Sequence, residues 1–323
     1  AMEEINSDGE VEHLVLDLRG NSGGYLKTAI QLADEFLHDN DLIVYTEGVS
    51  SPKREYSATS RGRFEEGKLV VLINEGSASA SEIVSGAVQD WDRGLVVGRR
   101  SFGKGLVQGP FKLRDNSVLK LTTARYYTPT GRCIQRPYDE GEDAYRKEGS
   151  RRMESGELFH VDSIDFPDSL KFETPNGRTV YGGGGIMPDI FVPLDTTENS
   201  DYLRSLYSDG ILYQYTSEYI DVHREELNER FDDFESFDEQ FHIDDEFMED
   251  FVEYAEEEGL ERNDEDIELS NEIIRTQIKA RIAQGLWKTE AYYRVINSIS
   301  PEIEKAISAI EGDAFKDLKI AYK

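Results

Sequence analysis

Two short stretches of this chain hold the residues best suited to covalent chemistry. Glu75-Gly76-Ser77-Ala78-Ser79-Ala80-Ser81-Glu82 sets three hydroxyls among small residues just ahead of an apolar helical pattern, so they fall on a tight strand-to-helix turn. The unpaired amides and positive dipole end of a helix N-terminus favour an oxyanion forming there, which suits a nucleophilic serine. Serines are also ordinary helix caps, and spacing alone leaves capping open for each of Ser77, Ser79 and Ser81. A nucleophilic serine needs a base, yet His13, His38, His160, His223 and His242 are scattered without a local motif. A lysine can serve when burial disfavours its charged form. Ser101-Phe102-Gly103-Lys104-Gly105-Leu106-Val107-Gln108 offers one, with glycines that allow close packing and Phe102, Leu106 and Val107 as apolar surroundings. The acidic field of the molecule opposes this, but charges beyond about 8 Å are largely screened, so local desolvation is expected to prevail. A solvated lysine in a glycine turn is the plain alternative.

The elements that would position these stretches can be read from apolar runs. His13 to Leu18 reads as a buried strand that feeds the turn Arg19-Gly20-Asn21-Ser22-Gly23-Gly24. Leu26, Ala29, Ile30, Ala33, Phe36 and Leu37 follow at helical spacing, and Leu42 to Tyr45 reads as the next strand. The pattern repeats with a strand at Leu69 to Ile73, a helix from Ala80 to Trp91 with Ile83, Val84, Ala87, Val88 and Trp91 on one face, and a strand at Leu95 to Val97. Two such βαβ units predict an α/β layer architecture. From Gly105 hairpins take over, with Leu106 to Leu113 and Val118 to Tyr127 flanking Arg114-Asp115-Asn116-Ser117. Tyr138 to Asn176 is charged and irregular and reads as an insertion or long surface loop before Gly182 to Asp189. The catalytic core is expected to span residues 1–197. Residues 198–323 turn acidic and aromatic and read as helices, one capped by Ser270 with Ile273, Ile274, Ile278 and Ile282 inward, another starting at Ser300-Pro301 with Ile303, Ile307 and Ile310 inward.

Taken together, Asp17 to Gly24, Gly76 to Ile83, Gln89-Asp90, Phe102 to Gln108 and Gly185-Ile186-Met187-Pro188-Asp189 resemble the C-terminal processing peptidases, also called tail-specific proteases, over roughly Val11 to Pro193. The resemblance implies a ClpP/crotonase-like fold and a Ser/Lys dyad of Ser79 and Lys104, with Gln108 orienting the lysine. It also implies an oxyanion hole from the amide of Ala80 with that of Gly23 or Gly24. Glu82 and Asp90 match family positions and are expected to support the loops by hydrogen bonds. The implied activity is serine endopeptidase action near the C-termini of polypeptide substrates, without metal or cofactor, in the periplasm or cell envelope. The family's PDZ domain, which precedes the Asp-Leu-Arg-Gly block, is expected to be missing, so that the fragment would be weakly active. The acidic tail is similar to that of Bacteroidetes-type members.

Composition narrows the field. The 323 residues are 38% hydrophobic, enough for a large domain and a smaller one, and no apolar run approaches the roughly 20 residues of a membrane-spanning helix. A formal charge of −30 argues against nucleic acid or an anionic membrane as partner. Ala1-Met2 and the polar stretch Glu3 to Glu10 do not read as a signal peptide. The single cysteine, Cys133, excludes an internal disulfide and reads as packing. Asn263-Asp264-Glu265-Asp266 lacks the glycine and ligand spacing of a calcium loop. A crotonase-like acyl-CoA enzyme and a non-catalytic binding scaffold are the rival readings, because a fold alone does not fix function.

Overall fold

The computed structural model describes residues 11–138, 141–164 and 167–321, so the polar stretch Glu3 to Glu10 lies outside the described residues. The chain divides into two compact units, Ala1–Leu194 with Glu304–Lys323, and Asp195–Ile303. The first unit opens with β1 (His13–Asp17), α1 (Leu26–Asp34), β2 (Leu42–Gly48), β3 (Ser51–Ser57), β4 (Lys68–Ile73), α2 (Ala80–Asp90) and β5 (Leu95–Gly98). It continues with β6 (Leu106–Lys112), β7 (Val118–Tyr127), α3 (Glu142–Arg146), α4 (Glu148–Glu154), β8 (Lys171–Glu173), β9 (Thr179–Tyr181) and β10 (Ile190–Phe191).

The strands form a parallel sheet in the order β1-β4-β5-β10 and an antiparallel sheet in the order β3-β2-β7-β6, while β8 pairs with β9. Leu69 to Ile73 and Leu95 to Val97 are wholly buried, as a parallel strand covered on both faces requires. The unit β4-α2-β5 is a parallel crossover, in which Val70 to Ile73 pair with Leu95 to Gly98. The expected first βαβ unit is corrected: β1 pairs with β4, whereas β2 leaves for the antiparallel sheet and pairs with β3 and β7. The reason is the link after β2, since only Val49 and Ser50 separate it from β3. So short a connection closes an antiparallel hairpin, whereas a parallel neighbour needs a crossover. The strand β3 had no apolar signature; its Pro52, Lys53, Arg54 and Glu55 suit an edge position.

Every residue of α2 is buried, not one face only, and its small residues make this feasible. A Cβ added at Gly86 would meet Thr128 Cγ2 at 2.9 Å. The stretch read as an irregular insertion forms, in its described residues, α3, α4 and β8, with Arg152 and Leu158 buried.

The second unit contains α5 (Asp201–Ser208), α6 (Ile211–Arg230), α7 (Phe234–Gln240), α8 (Asp245–Glu257), α9 (Asp264–Leu269) and α10 (Asn271–Ile296). Its core gathers Phe237, Phe251, Ile274, Ile278 and Ile282. Ser270 precedes α10, but its hydroxyl donates to the Glu198 carbonyl and lies 2.8 Å from the Ser200 hydroxyl instead of capping the helix. Asn263 caps α9 by accepting the Asp266 amide.

After it come α11 (Pro301–Glu311) and α12 (Ala314–Asp317). In α11 the expected inward face is corrected: Ile307 is 47% exposed, and Ala306, Ala309 and Ile310 are the buried apolar residues. The last described residues are built into the first unit, with Phe315 and Ile320 buried, Ala321 N donating to Asp92 O at 2.8 Å and the Lys68 ammonium donating to Ile310 O. No helix among the described residues is long and apolar enough to cross a membrane.

The end of β5 sets where the lysine loop begins. Gly98 has φ +124, and a Cβ there would lie 2.1 Å from Ile73 O. Gly98→Ala is therefore expected to lower unfolding stability by at least about 2 kcal/mol in urea titration, the sum of backbone strain and displacement of a paired strand.

Candidate active site

The serine turn resolves into three hydroxyls with different employment. Ser77 Oγ donates to Leu18 O at 2.7 Å and accepts the Asn74 amide, and Ser81 Oγ donates to Asn21 O at 2.9 Å. These two lace the turn to the glycine-rich loop. Ser79 stands at the N-cap of α2, and its amide donates to Glu82 Oε2 at 2.8 Å. The Glu82 amide, however, goes to the Ser79 carbonyl at 3.0 Å, and the Ser79 hydroxyl makes no capping bond. Ser79 and Glu82 thus stand in a capping-box arrangement, in which the half-buried Ser79 hydroxyl makes no full side-chain cap hydrogen bond.

Ser79 has φ 57 and ψ −110, a conformation that non-glycine residues occupy at a cost of roughly 1–3 kcal/mol and that clusters at functional sites. The surrounding bonds hold it there, including Ala78 N to Asn21 O at 3.0 Å and Ser81 N to Ala78 O at 3.1 Å. Ala80 is the first residue of α2, so its amide has no intrahelical acceptor. Gly23, at φ +102, presses against this amide: an added Cβ would lie 2.6 Å from Ala78 O, 2.8 Å from Ala80 N and 2.9 Å from Ser79 Cβ. The Gly23 amide itself is taken by Asn21 Oδ1 at 2.9 Å. Gly24 borders open space, and its amide has no acceptor among the described residues.

The lysine loop is fastened to the serine turn by one side chain. Glu82, fully buried, accepts Ser79 N and Lys104 N on Oε2, both at 2.8 Å, and Gly103 N at 2.7 Å and Ser101 Oγ at 2.5 Å on Oε1. Burial pushes the Glu82 carboxyl up, while the bonds from Ser101, Lys104, Gly103 and Ser79 pull the other way. Ser101 Oγ also accepts the Ile186 amide at 2.7 Å, which brings the Gly185 to Asp189 element onto the same loop.

The expected enclosure of Lys104 is corrected, because its side chain is half-buried. The loop is gripped by its backbone, with Gly103 O taking Arg136 N, Gly105 N going to Gln135 Oε1 and Gly105 O taking Tyr126 N, and these contacts do not close over the lysine stem. No hydrogen bond joins Ser79 Oγ to Lys104 Nζ among the described residues.

Gln108 is exposed, in β6 at the register shift opposite Thr122, and none joins it to Lys104 either. The spacing of four residues brings side chains together on a helix, but this stretch is extended, and four extended residues cover up to about 13 Å.

Asp90 accepts Thr130 N and Oγ1 at 2.9 and 2.8 Å and pairs with Arg132 at 2.6 Å, while Gln89 donates to Met187 O and Asp189. Both residues support neighbouring turns. Cys133 is half-buried, and burial pushes its thiol up, away from the reactive thiolate. Sequence reasoning missed Ser101, Gln135 and Asn21 as side chains that hold the loops. Asn21 carried a usable signal, since Asn before glycines commonly bonds its own turn.

Two substitutions test this geometry. Glu82→Gln keeps the shape but replaces one acceptor oxygen by an amide that faces other donors, and a loss of about 2–4 kcal/mol is expected in chemical denaturation. Gly23→Ala pushes a methyl into the Ala78–Ala80 backbone, and reaction of Ser79 with a fluorophosphonate probe should slow by about 100-fold or more, the scale of losing an oxyanion donor.

The comparisons with known proteins fall on the same residues. The family model for peptidase family S41 matches residues 1–140, and residues 202–288 match a second model described only as a family of unknown function. The carboxy-terminal-processing protease of Bartonella bacilliformis is 44% identical over 138 residues, 42% of this chain and 32% of that protein. The carboxyl-terminal-processing protease of a Picosynechococcus species is 41% identical over 129 residues, 40% of this chain and 30% of that protein. The chain thus spans about a third of the length of these curated relatives. A solved structure, the photosystem II D1 C-terminal processing protease, is similar at 29% identity and a TM-score of 0.41, covering 61% of this chain and 38% of that one. The serine turn, the glycine-rich loop and the lysine loop all lie inside residues 1–140, the segment that matches the model of peptidase family S41.

Proposed function

We propose that this chain carries the catalytic unit of a serine peptidase that hydrolyses peptide bonds near the C-termini of polypeptides, with Ser79 as nucleophile and Lys104 as general base. The observation that supports it most is the shared Glu82 oxygen. The Ser79 and Lys104 backbone nitrogens each lie 2.8 Å from Oε2, which limits their separation to twice that distance. From there the four-carbon lysine stem can span to the serine hydroxyl by side-chain rotation, with the backbone fixed.

In the reaction, neutral Lys104 takes the Ser79 proton as Oγ attacks the carbonyl carbon. The oxyanion is received by the amides of Ala80 and Gly24, neither of which has an acceptor among the described residues. The Lys104 ammonium then protonates the leaving amine, and water, deprotonated by the same lysine, releases the acyl group. A seated polypeptide displaces water around the half-buried lysine and favours its neutral form. The names of the relatives support action at C-termini. A periplasmic or envelope setting belongs to the same reading and is supported by the bacterial and chloroplastic processing proteases among them. An acyl-CoA enzyme has no use for a lysine loop fastened to the serine turn.

Fluorophosphonate labelling and cleavage of unstructured peptides with varied C-termini test the reading. Ser79→Ala should abolish both, and Lys104→Met should slow labelling by about 10²–10⁴-fold. Equal labelling of the parent and Ser79→Ala would remove Ser79 from the mechanism.

A further inference from the structure

We infer that Arg152, anchored by Glu157, is a positioning residue for Lys104, so that the charged segment after Tyr138 acts as a clamp on the base; this rests on the peptidase reading above. Arg152 lies on α4, 4% exposed, although nothing in its sequence surroundings marks it as buried. Its Nη1 donates to Ser101 O at 3.1 Å and its Nη2 to Arg100 O at 2.5 Å. Its Nε donates to Glu157 Oε1 at 2.7 Å. Glu157 holds Arg100 as well, accepting Nε and Nη2, each at 2.7 Å. Burial works against the Glu157 charge, but the bonds and charges of Arg100 and Arg152 prevail and hold its carboxyl below the usual range.

The planar fork of one guanidinium thus fixes two consecutive carbonyls directly ahead of the lysine. Ser101, whose carbonyl it holds, sends its hydroxyl to Glu82, the same carboxylate that takes the Lys104 amide. A second contact acts on the next residues. The Arg136 guanidinium lies 4.1 Å from the Phe102 ring centroid and 3.8 Å from that of Tyr145 in α3, and Arg136 N donates to Gly103 O at 3.1 Å. Residues 100–103 are therefore held one after another, and Lys104 follows.

What backs the loop here is directional bonding. A cavity of about 450 Å³ adjoins it, lined by Arg100, Tyr145, Glu148, Arg152 and Glu157 among others. A buried ion pair adds little net stability over an apolar core, and fixing geometry is the better account of an Arg152 with three directed bonds.

The test measures fluorophosphonate labelling of Ser79 in the full chain, with rates taken per folded protein, as maximal labelling rate and half-saturating probe concentration. Arg152→Lys keeps a cation beside Glu157 but cannot reach both carbonyls. Its maximal rate should fall about 10–100-fold with the half-saturating concentration changed by less than about threefold, the size expected of a misplaced catalytic group. Glu157→Gln keeps the fork and loosens its anchor; its rate should fall in the same direction by a smaller factor, and it carries the test if Arg152→Lys does not fold. Arg146→Ala, an exposed change on α3, should label like the parent. Parent-like maximal rates in both clamp variants, or a change confined to the half-saturating concentration, would overturn the inference while labelling still requires Ser79. Labelling that persists in Ser79→Ala would overturn the peptidase reading and the clamp with it.

Discussion

A carboxylate without access to water is costly unless donors surround it, and Glu82 is surrounded by four. Those donors come from two parts of the chain, one from the serine turn at Ser79 and three from the loop at Ser101, Gly103 and Lys104. Matching the charge therefore requires the two loops to meet, and the meeting point is where the proposed nucleophile and base are carried. Both sit on connections that leave the parallel sheet, from β4 and β5, so the sheet sets their distance coarsely and Glu82 sets it finely.

Around that tie the chain gives up conformational ease. Ser79 occupies a backbone region usually left to glycine, and Gly23 approaches so closely that no side chain fits between the glycine-rich loop and the serine turn. Strain at one residue is tolerable because Asn21, Ser77 and Ser81 bind the neighbouring backbone from both sides. A helix N-terminus whose Ala80 amide lacks an intrahelical acceptor, beside a half-buried serine hydroxyl, is the setting that the proposed acyl transfer requires.

Much of this was legible in the residues. Leu69 to Ile73 and Leu95 to Val97 announced buried strands, and the Arg114 to Ser117 turn fixed a hairpin, because such signals are local. Partner choice is not local. Leu42 to Tyr45 looked the same whether it would join the parallel or the antiparallel sheet, and the polar β3 that decided the matter carried no apolar pattern. Ile307 lost its expected inward place to Ala306 and Ala309 because periodicity gives a face only to within a residue or so, and the neighbour selects among small and large side chains. In the site, the serine turn and glycine loop could be read from composition. The half-exposure of Lys104 could not, since it depends on where Tyr126, Gln135 and Arg136 grip the loop. Ser101 and Arg152 were likewise invisible, because each acts on backbone tens of residues away.

The first unit is interrupted in the chain: the residues between Leu194 and Glu304 form a body of their own before the remainder rejoins it. Asp92, just beyond α2, gives its carbonyl to Ala321, and Phe315 and Ile320 are buried. A growing polypeptide that has already delivered both loops of the site still lacks this last piece until residue 321 emerges. The unit that carries both loops is therefore completed only after the intervening body, residues 195–303, has been made.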